Sequence, residues 1–199
     1  EEGMQVIALA SKKENNKVLV LNEKEENDMT FIGFVAFLDS PKKDVKNVIE
    51  KLNKYDVKVK ILTGDNPYST KSVCLLAGIN SEKIYLGSDI DKLSDKALSK
   101  VVEEVDVFAR LNPIQKERIV RILRENNHVV GYMGDGINDA PSLMNSDVGI
   151  SVDTAVDIAK ESADIILLEK DLNVLLDGVT ERKKDLWKFN EIYKNGNKF

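Results

Sequence analysis

Apolar positions along the chain follow two periods. Short β-rich runs occur at MQVIALA (4–10), KVLVL (17–21), TFIGFVAFL (30–38), VKVKIL (57–62), VFA (107–109), VVGYM (129–133), VGIS (148–151) and DIILL (164–168). Between them the apolar residues recur at helical spacing. Val45, Val48, Ile49 and Leu52 share one face of a helix that Ser40 can cap and Pro41 can open. Asn66 and Pro67 start a helix that Gly78 stops, and Ser94 starts another. Asn112 and Pro113 begin a helix through about Asn126, and a further helix is expected over 154–162.

Strand and helix alternate from residue 30 onward, which predicts an α/β fold: a parallel, Rossmann-like sheet with helices on both faces. Right-handed crossovers place every strand-to-helix loop on one edge, outside the carboxyl ends of the strands, where ligands of such sheets bind. The acidic run NEKEEND (22–28) between two β-like stretches is a solvated loop.

The 199 residues make room for one ordinary domain, or for one domain plus part of another. A net charge of −5 leaves no basic surplus for a phosphate backbone, so nucleic acid is not expected as a partner. The single cysteine, Cys74, rules out an intramolecular disulfide. No run of eighteen apolar residues occurs, so the chain is expected to be soluble by itself. It opens within a strand and lacks an initiator methionine, which suggests a cut in a longer protein.

Chemistry concentrates on the predicted loop edge. Asp39 ends one strand; Thr63-Gly64-Asp65, Arg110 to Lys116 and Gly134 to Asp139 follow three others. Gly134, Asp135, Gly136, Asn138 and Asp139 put carboxylate and amide oxygens on a flexible turn. That set suits Mg²⁺, which takes one or two carboxylates plus water and phosphate oxygens. An Asp/Asn/Gly turn capping the next helix is the alternative for this loop alone. A dinucleotide fingerprint fits worse, because the third glycine is missing. Thr63-Gly64-Asp65 offers hydroxyl and amide groups for phosphoryl oxygens. Lys116 lies in register with Ile119, Val120 and Leu123, so it points toward the sheet edge, as a partner for a phosphate or for the loop carboxylates, or as a snorkelling lysine. Together these loops carry the equipment of phosphoryl transfer, without a clear nucleophile. Cys74 and His128 read as a small core residue and a strand-flanking residue; His128 has no zinc partners nearby.

TGDN (63–66), FARLNPIQK (108–116) and MGDGINDAPSL (133–143), with LDSPKKDV (38–45), resemble motifs of the P-type ATPases in that family's order. The run 151–179 resembles the magnesium-transporting bacterial branch. The resemblance covers about residues 1–185. It implies a haloacid dehalogenase-like phosphorylation domain over 31–180, preceded by the tail of a nucleotide-binding domain (1–30) and followed by a cytoplasmic stalk (181–199) with Leu186, Phe189 and Tyr193 on one stripe. It further implies an aspartyl-phosphate intermediate, Mg²⁺ and ATP as ligands, and the rest of a plasma-membrane pump as partner, with this portion on the cytoplasmic side.

By the same resemblance Asp135 ligates Mg²⁺, and Asn138 and Asp139 support the metal and phosphoryl site. Thr63 and Gly64 bind phosphoryl oxygens beside Asp65, and Lys116 neutralises the transferring group. Arg110 approaches the nucleotide ribose, and Asp39 sits near the nucleotide and hinge. The family's D-K-T-G-T nucleophile motif does not occur in this chain and would lie upstream of Glu1. LDSPKKDV also departs from the family pattern, with Ser40 where a second proline is usual. Two alternatives are a free-standing phosphatase of the same superfamily using Asp39, and a non-catalytic module that regulates an intact pump.

Overall fold

The computed structural model describes residues 4–13, 27–37, 44–169 and 171–181. The segment with Asp39, Ser40 and Pro41, the predicted strand at 17–21 and the predicted stalk stripe lie outside the described residues.

β1 (Gln5–Ser11) and β2 (Thr30–Phe37) form an antiparallel ladder with an irregularity between Leu9 and Ala10. Phe31 and Phe34 meet edge to face at 5.0 Å.

The remaining strands are parallel, each followed by a helix, as the alternation predicts. β3 (Ile61–Leu62), β4 (Ile84–Leu86) and β5 (Val107–Ala109) form one ladder in the order β3-β5-β4. β6 (Gly131–Met133), β7 (Val148–Val152) and β8 (Ile165–Leu167) form a second, in sequence order. The helices are α1 (Val45–Lys54), α2 (Pro67–Ala77), α3 (Gly87–Ile90), α4 (Asp95–Glu104), α5 (Pro113–Glu125), α6 (Ala140–Asn145), α7 (Asp157–Glu161) and α8 (172–181).

Alternating side chains of the first ladder serve two cores. Phe108 is fully buried with Ile90, Leu98, Val102, Ile119 and Ile122 of α3, α4 and α5. Its neighbour Val107 packs instead with Ile49 of α1 and Cys74 and Ala77 of α2. Helices therefore cover both faces. α5 also reaches the second ladder: Val120 joins the cluster of Tyr132, Ile150, Val152 and Leu143, while Leu62 and Val130 border both clusters. The two ladders thus lie side by side beneath one helix. Among the described residues, no backbone hydrogen bond joins β3 to β6.

Caps match the sequence at three helix starts. The Asn66 side chain accepts from the amides of Tyr68 and Ser69, and Gly78 closes α2 at φ 74°. Ser94 accepts from Ala97, and Asn112 from Gln115. Other bounds differ. The 57–62 run pairs only at Ile61 and Leu62, and α7 covers five residues of the expected 154–162. β4 and α3, which no apolar period marks, exist because Ile84, Tyr85 and Ile90 find tertiary partners in the flanking clusters.

Candidate active site

The loops after β3, β5 and β6 leave the same edge, and hydrogen bonds stitch the first two together. The Thr63 amide donates to Phe108 and the Leu111 amide donates to the Thr63 carbonyl, at 3.0 and 2.9 Å. The Arg110 amide donates to the Asp65 carbonyl at 2.9 Å. Thr63 Oγ1 donates to Asp65 Oδ2 at 2.9 Å and accepts the Asp65 amide at 3.1 Å, which closes a tight turn around Gly64. Arg110 adopts φ 52°, a left-handed conformation that costs a non-glycine residue energy and that the cross-loop bonds hold in place. Its side chain is exposed.

The start of α5 is fixed from three directions. Asn112 and Gln115 form a reciprocal capping box. Gln115 is buried and its Nε2 donates to the Gly87 carbonyl at 3.0 Å and to Asp91 at 2.8 Å. A Cβ on Gly87 would strike Gln115 Oε1, and would lie 2.5 Å from the Arg110 carbonyl. Lys116 is the next residue on this locked turn.

Its ammonium reaches Asp139 Oδ1 at 2.8 Å, with side chains only 12 and 13 % exposed. Tyr132 donates its hydroxyl to the same oxygen at 2.8 Å, and the Gly136 amide donates to Oδ2 at 3.2 Å. Burial opposes ionisation of Asp139, but bonds from Lys116, Tyr132 and Gly136 outweigh it and hold the carboxyl below its ordinary range. Burial, then the neighbouring carboxylate, pushes the Tyr132 hydroxyl upward. Gly134 lies so close to Asp139 that an added Cβ would meet its Cγ at 2.7 Å. Ser151 Oγ donates to the Gly134 carbonyl at 2.9 Å, and the Val156 amide to the Asp135 carbonyl at 3.2 Å.

Thr63, Gly64, Asp65, Lys116 and Asp139 are thus tied into adjoining loops. Asp135 and Asn138 are exposed on the third loop, and Asp39 lies outside the described residues. Below that loop a cavity of about 480 Å³ is lined by Val45, Val48, Met133, Asp135, Val152 and Leu167, among others. Among the described residues no three acidic, histidine or cysteine side chains converge. Two loop carboxylates, Asp135 and Asp139, are what Mg²⁺ uses when phosphate and water complete its shell, so the donor set fits that ion. The close approach at Gly134 gives Asp139 a cradle that no larger residue leaves open.

Sequence inspection missed Gln115, Tyr132 and Ser151. The Asn112…Gln115 spacing carries a capping-box signal, whereas Tyr132 and Ser151 read only as strand residues.

Strand-end loops that carry an ion-paired lysine and aspartate on one edge of an α/β sheet fit the site of a hydrolase. The chain belongs to the haloacid dehalogenase-like hydrolases, whose profile matches residues 5–147. It is 48 % identical over 187 residues to the magnesium-transporting ATPase, P-type 1, of Salmonella typhimurium, covering 92 % of this chain and 20 % of that protein. It is 46 % identical over 183 residues to the protein of the same name from Escherichia coli, with the same coverage. The chain therefore spans about a fifth of the length of these relatives. Among solved structures, the catalytic domain of the CPx-ATPase CopB-B superposes with a TM-score of 0.55 at 26 % identity, over 77 % of this chain and 50 % of that one.

Proposed function

We propose that the chain is the phosphorylation-domain portion of a magnesium-transporting P-type ATPase. The parent couples ATP hydrolysis, through an aspartyl-phosphate, to Mg²⁺ movement across the bacterial plasma membrane, with this portion on the cytoplasmic side. Residues 1–30 belong to the nucleotide-binding side, 31–180 to the phosphorylation domain and 181–199 to a stalk. Among the described residues no helix is long and apolar enough to cross a membrane.

The observation that carries this proposal is the partly buried Lys116–Asp139 pair set against the stitched loops 63–65 and 110–111. Lys116 offers a fixed positive charge to a phosphoryl group; its ammonium has three donor hydrogens and the pair occupies one. The Gly64 backbone receives phosphoryl oxygens, and the Thr63 hydroxyl does so by turning its one proton from Asp65, which holds it here, to the phosphoryl group. Asp135 and Asp139, with Asn138 beside them, hold Mg²⁺, which when bound supplies charge neutralisation for the phosphoryl oxygens. Arg110, exposed at the rim, approaches the nucleotide ribose. Catalysis here is positioning and electrostatic stabilisation.

The nucleophilic aspartate lies on a strand outside this chain. Two parallel ladders side by side, with the edges of β3 and β6 open among the described residues, support a further strand between them. The chain alone binds Mg²⁺ weakly and does not turn over ATP. Treatment with acetyl phosphate and Mg²⁺, followed by intact-mass spectrometry, is expected to show no added phosphate. A Mg²⁺-dependent adduct that disappears in Asp39→Asn would overturn the proposal in favour of a complete phosphatase.

A further inference from the structure

Asp139 has more hydrogen-bond donors than a simple lysine–aspartate pair requires. Each carboxylate oxygen offers about two lone-pair directions. Oδ1 spends both, on Lys116 Nζ and on the Tyr132 hydroxyl, each at 2.8 Å. Oδ2 spends one on the Gly136 amide at 3.2 Å. A single direction on Oδ2 remains for anything that arrives. The arrangement is built: Tyr132 is 7 % exposed, the carboxylate is packed on Gly134, and the lysine is delivered by a locked helix start.

Behind the tyrosine stands a second hydroxyl. Ser142 is fully buried, its Oγ has no partner at hydrogen-bond geometry, and it lies against the Tyr132 hydroxyl. A buried hydroxyl without a partner costs free energy and calls for an explanation. A small adjustment of the Ser142 hydroxyl would let it donate to the Tyr132 oxygen. That would polarise the tyrosine as a donor to Asp139.

We propose that Tyr132, backed by Ser142, is a positioning residue of the phosphoryl-transfer site, orienting Asp139 so that it meets Mg²⁺ through Oδ2 alone. Neither hydroxyl touches the reacting group. Both act through the carboxylate, as outer-sphere partners orient a metal ligand. The Mg²⁺ component of this inference rests on the proposed function. The hydroxyl arrangement stands independently of it.

The test uses the 199-residue chain with ζ-¹³C-labelled tyrosine, whose ring-carbon resonance reports the hydrogen bond of its hydroxyl. Loss of one of five tyrosine signals in Tyr132→Phe assigns the resonance. That resonance is expected to move in Asp139→Asn, which removes the charged acceptor, and in Ser142→Ala. Calorimetric titration with MgCl₂ is expected to show affinity about tenfold weaker in Tyr132→Phe, the low end for loss of an outer-sphere partner. Phenylalanine keeps the ring, so a packing role alone would leave Mg²⁺ affinity unchanged in Tyr132→Phe and the resonance unmoved in Asp139→Asn and Ser142→Ala. A resonance indifferent to Asp139→Asn, or a Tyr132→Phe chain that binds Mg²⁺ as well as or better than the parent, overturns the inference. Should the parent chain bind no Mg²⁺, the assignment of the metal site fails, and the Asp139-dependence of the resonance still decides the role of Tyr132. Should Tyr132→Phe not fold, Ser142→Ala carries the same two readouts against the directly assigned parent resonance.

Discussion

Replacing Lys116 by methionine tests the centre of the site. Methionine keeps the apolar stem that packs with the α5 face and removes the ammonium. At 2.8 Å the pair's attraction is about 6 kcal/mol with an effective dielectric constant near 20. The desolvation of both ions offsets much of that, so the net worth of the pair is small. Removing only the lysine is different, because it strands a carboxylate with little access to water, and for a fully buried pair that costs about 3–5 kcal/mol. Asp139 keeps the Tyr132 and Gly136 donors and a small exposed fraction, which moves the expected loss to about 2–4 kcal/mol at pH 7.

The pH dependence carries a sign. In the parent chain the carboxyl titrates below its ordinary range, so it contributes stability above the unfolded pKa of about 3.9 and loses it as pH falls through the lower folded value. Without Lys116, burial dominates and the folded pKa rises. The deficit is then largest at neutral pH and shrinks as the medium is acidified and Asp139 takes a proton. Urea unfolding followed by circular dichroism at pH 7 and pH 5 reads both quantities. The double variant Lys116→Met/Asp139→Asn should recover more than half of the loss, since the stranded charge is gone. A loss under about 0.5 kcal/mol at pH 7 would place the change among ordinary surface substitutions. That result, or a deficit that grows on acidification, would refute the assignment of a partly buried, mutually dependent pair.

Gly87→Ala should lower stability by about 1–3 kcal/mol, because its methyl group strikes Gln115 and the Arg110 carbonyl; a thermal midpoint equal to the parent's would show that the α5 start is not locked there. Asn112→Ala removes the acceptor of the Gln115 amide and should cost about 1 kcal/mol in urea unfolding, whereas an unchanged midpoint would mean that α5 needs no cap. Cys74 is 2 % exposed and burial pushes its thiol up to about 11. Native protein at pH 8 should react with Ellman's reagent no faster than it unfolds, and rapid stoichiometric labelling would contradict a core thiol.

Much of this molecule is legible without coordinates, because the strongest signals are local. Strand and helix periods differ, so βα alternation follows from residue order alone. Asn66, Ser94 and Asn112 act on amides two or three residues away, and Gly78 on its own φ, so these helix ends needed no tertiary information. The loops with Thr63, Lys116 and Asp139 share an edge because parallel strands joined by right-handed crossovers leave them no other.

What required the folded chain is everything set by contacts across long sequence separations. β4 is three residues long and exists through pairing with β5. The division into two ladders depends on which edges meet, and periodicity does not encode edges. The convergence of Lys116 and Tyr132 on one oxygen of Asp139 joins a helix, a strand and a loop. Tyr132 looks like any strand aromatic until its ring is buried and its hydroxyl must find a partner. Burial makes a hydrogen bond obligatory, and only the tertiary structure decides which atom receives it.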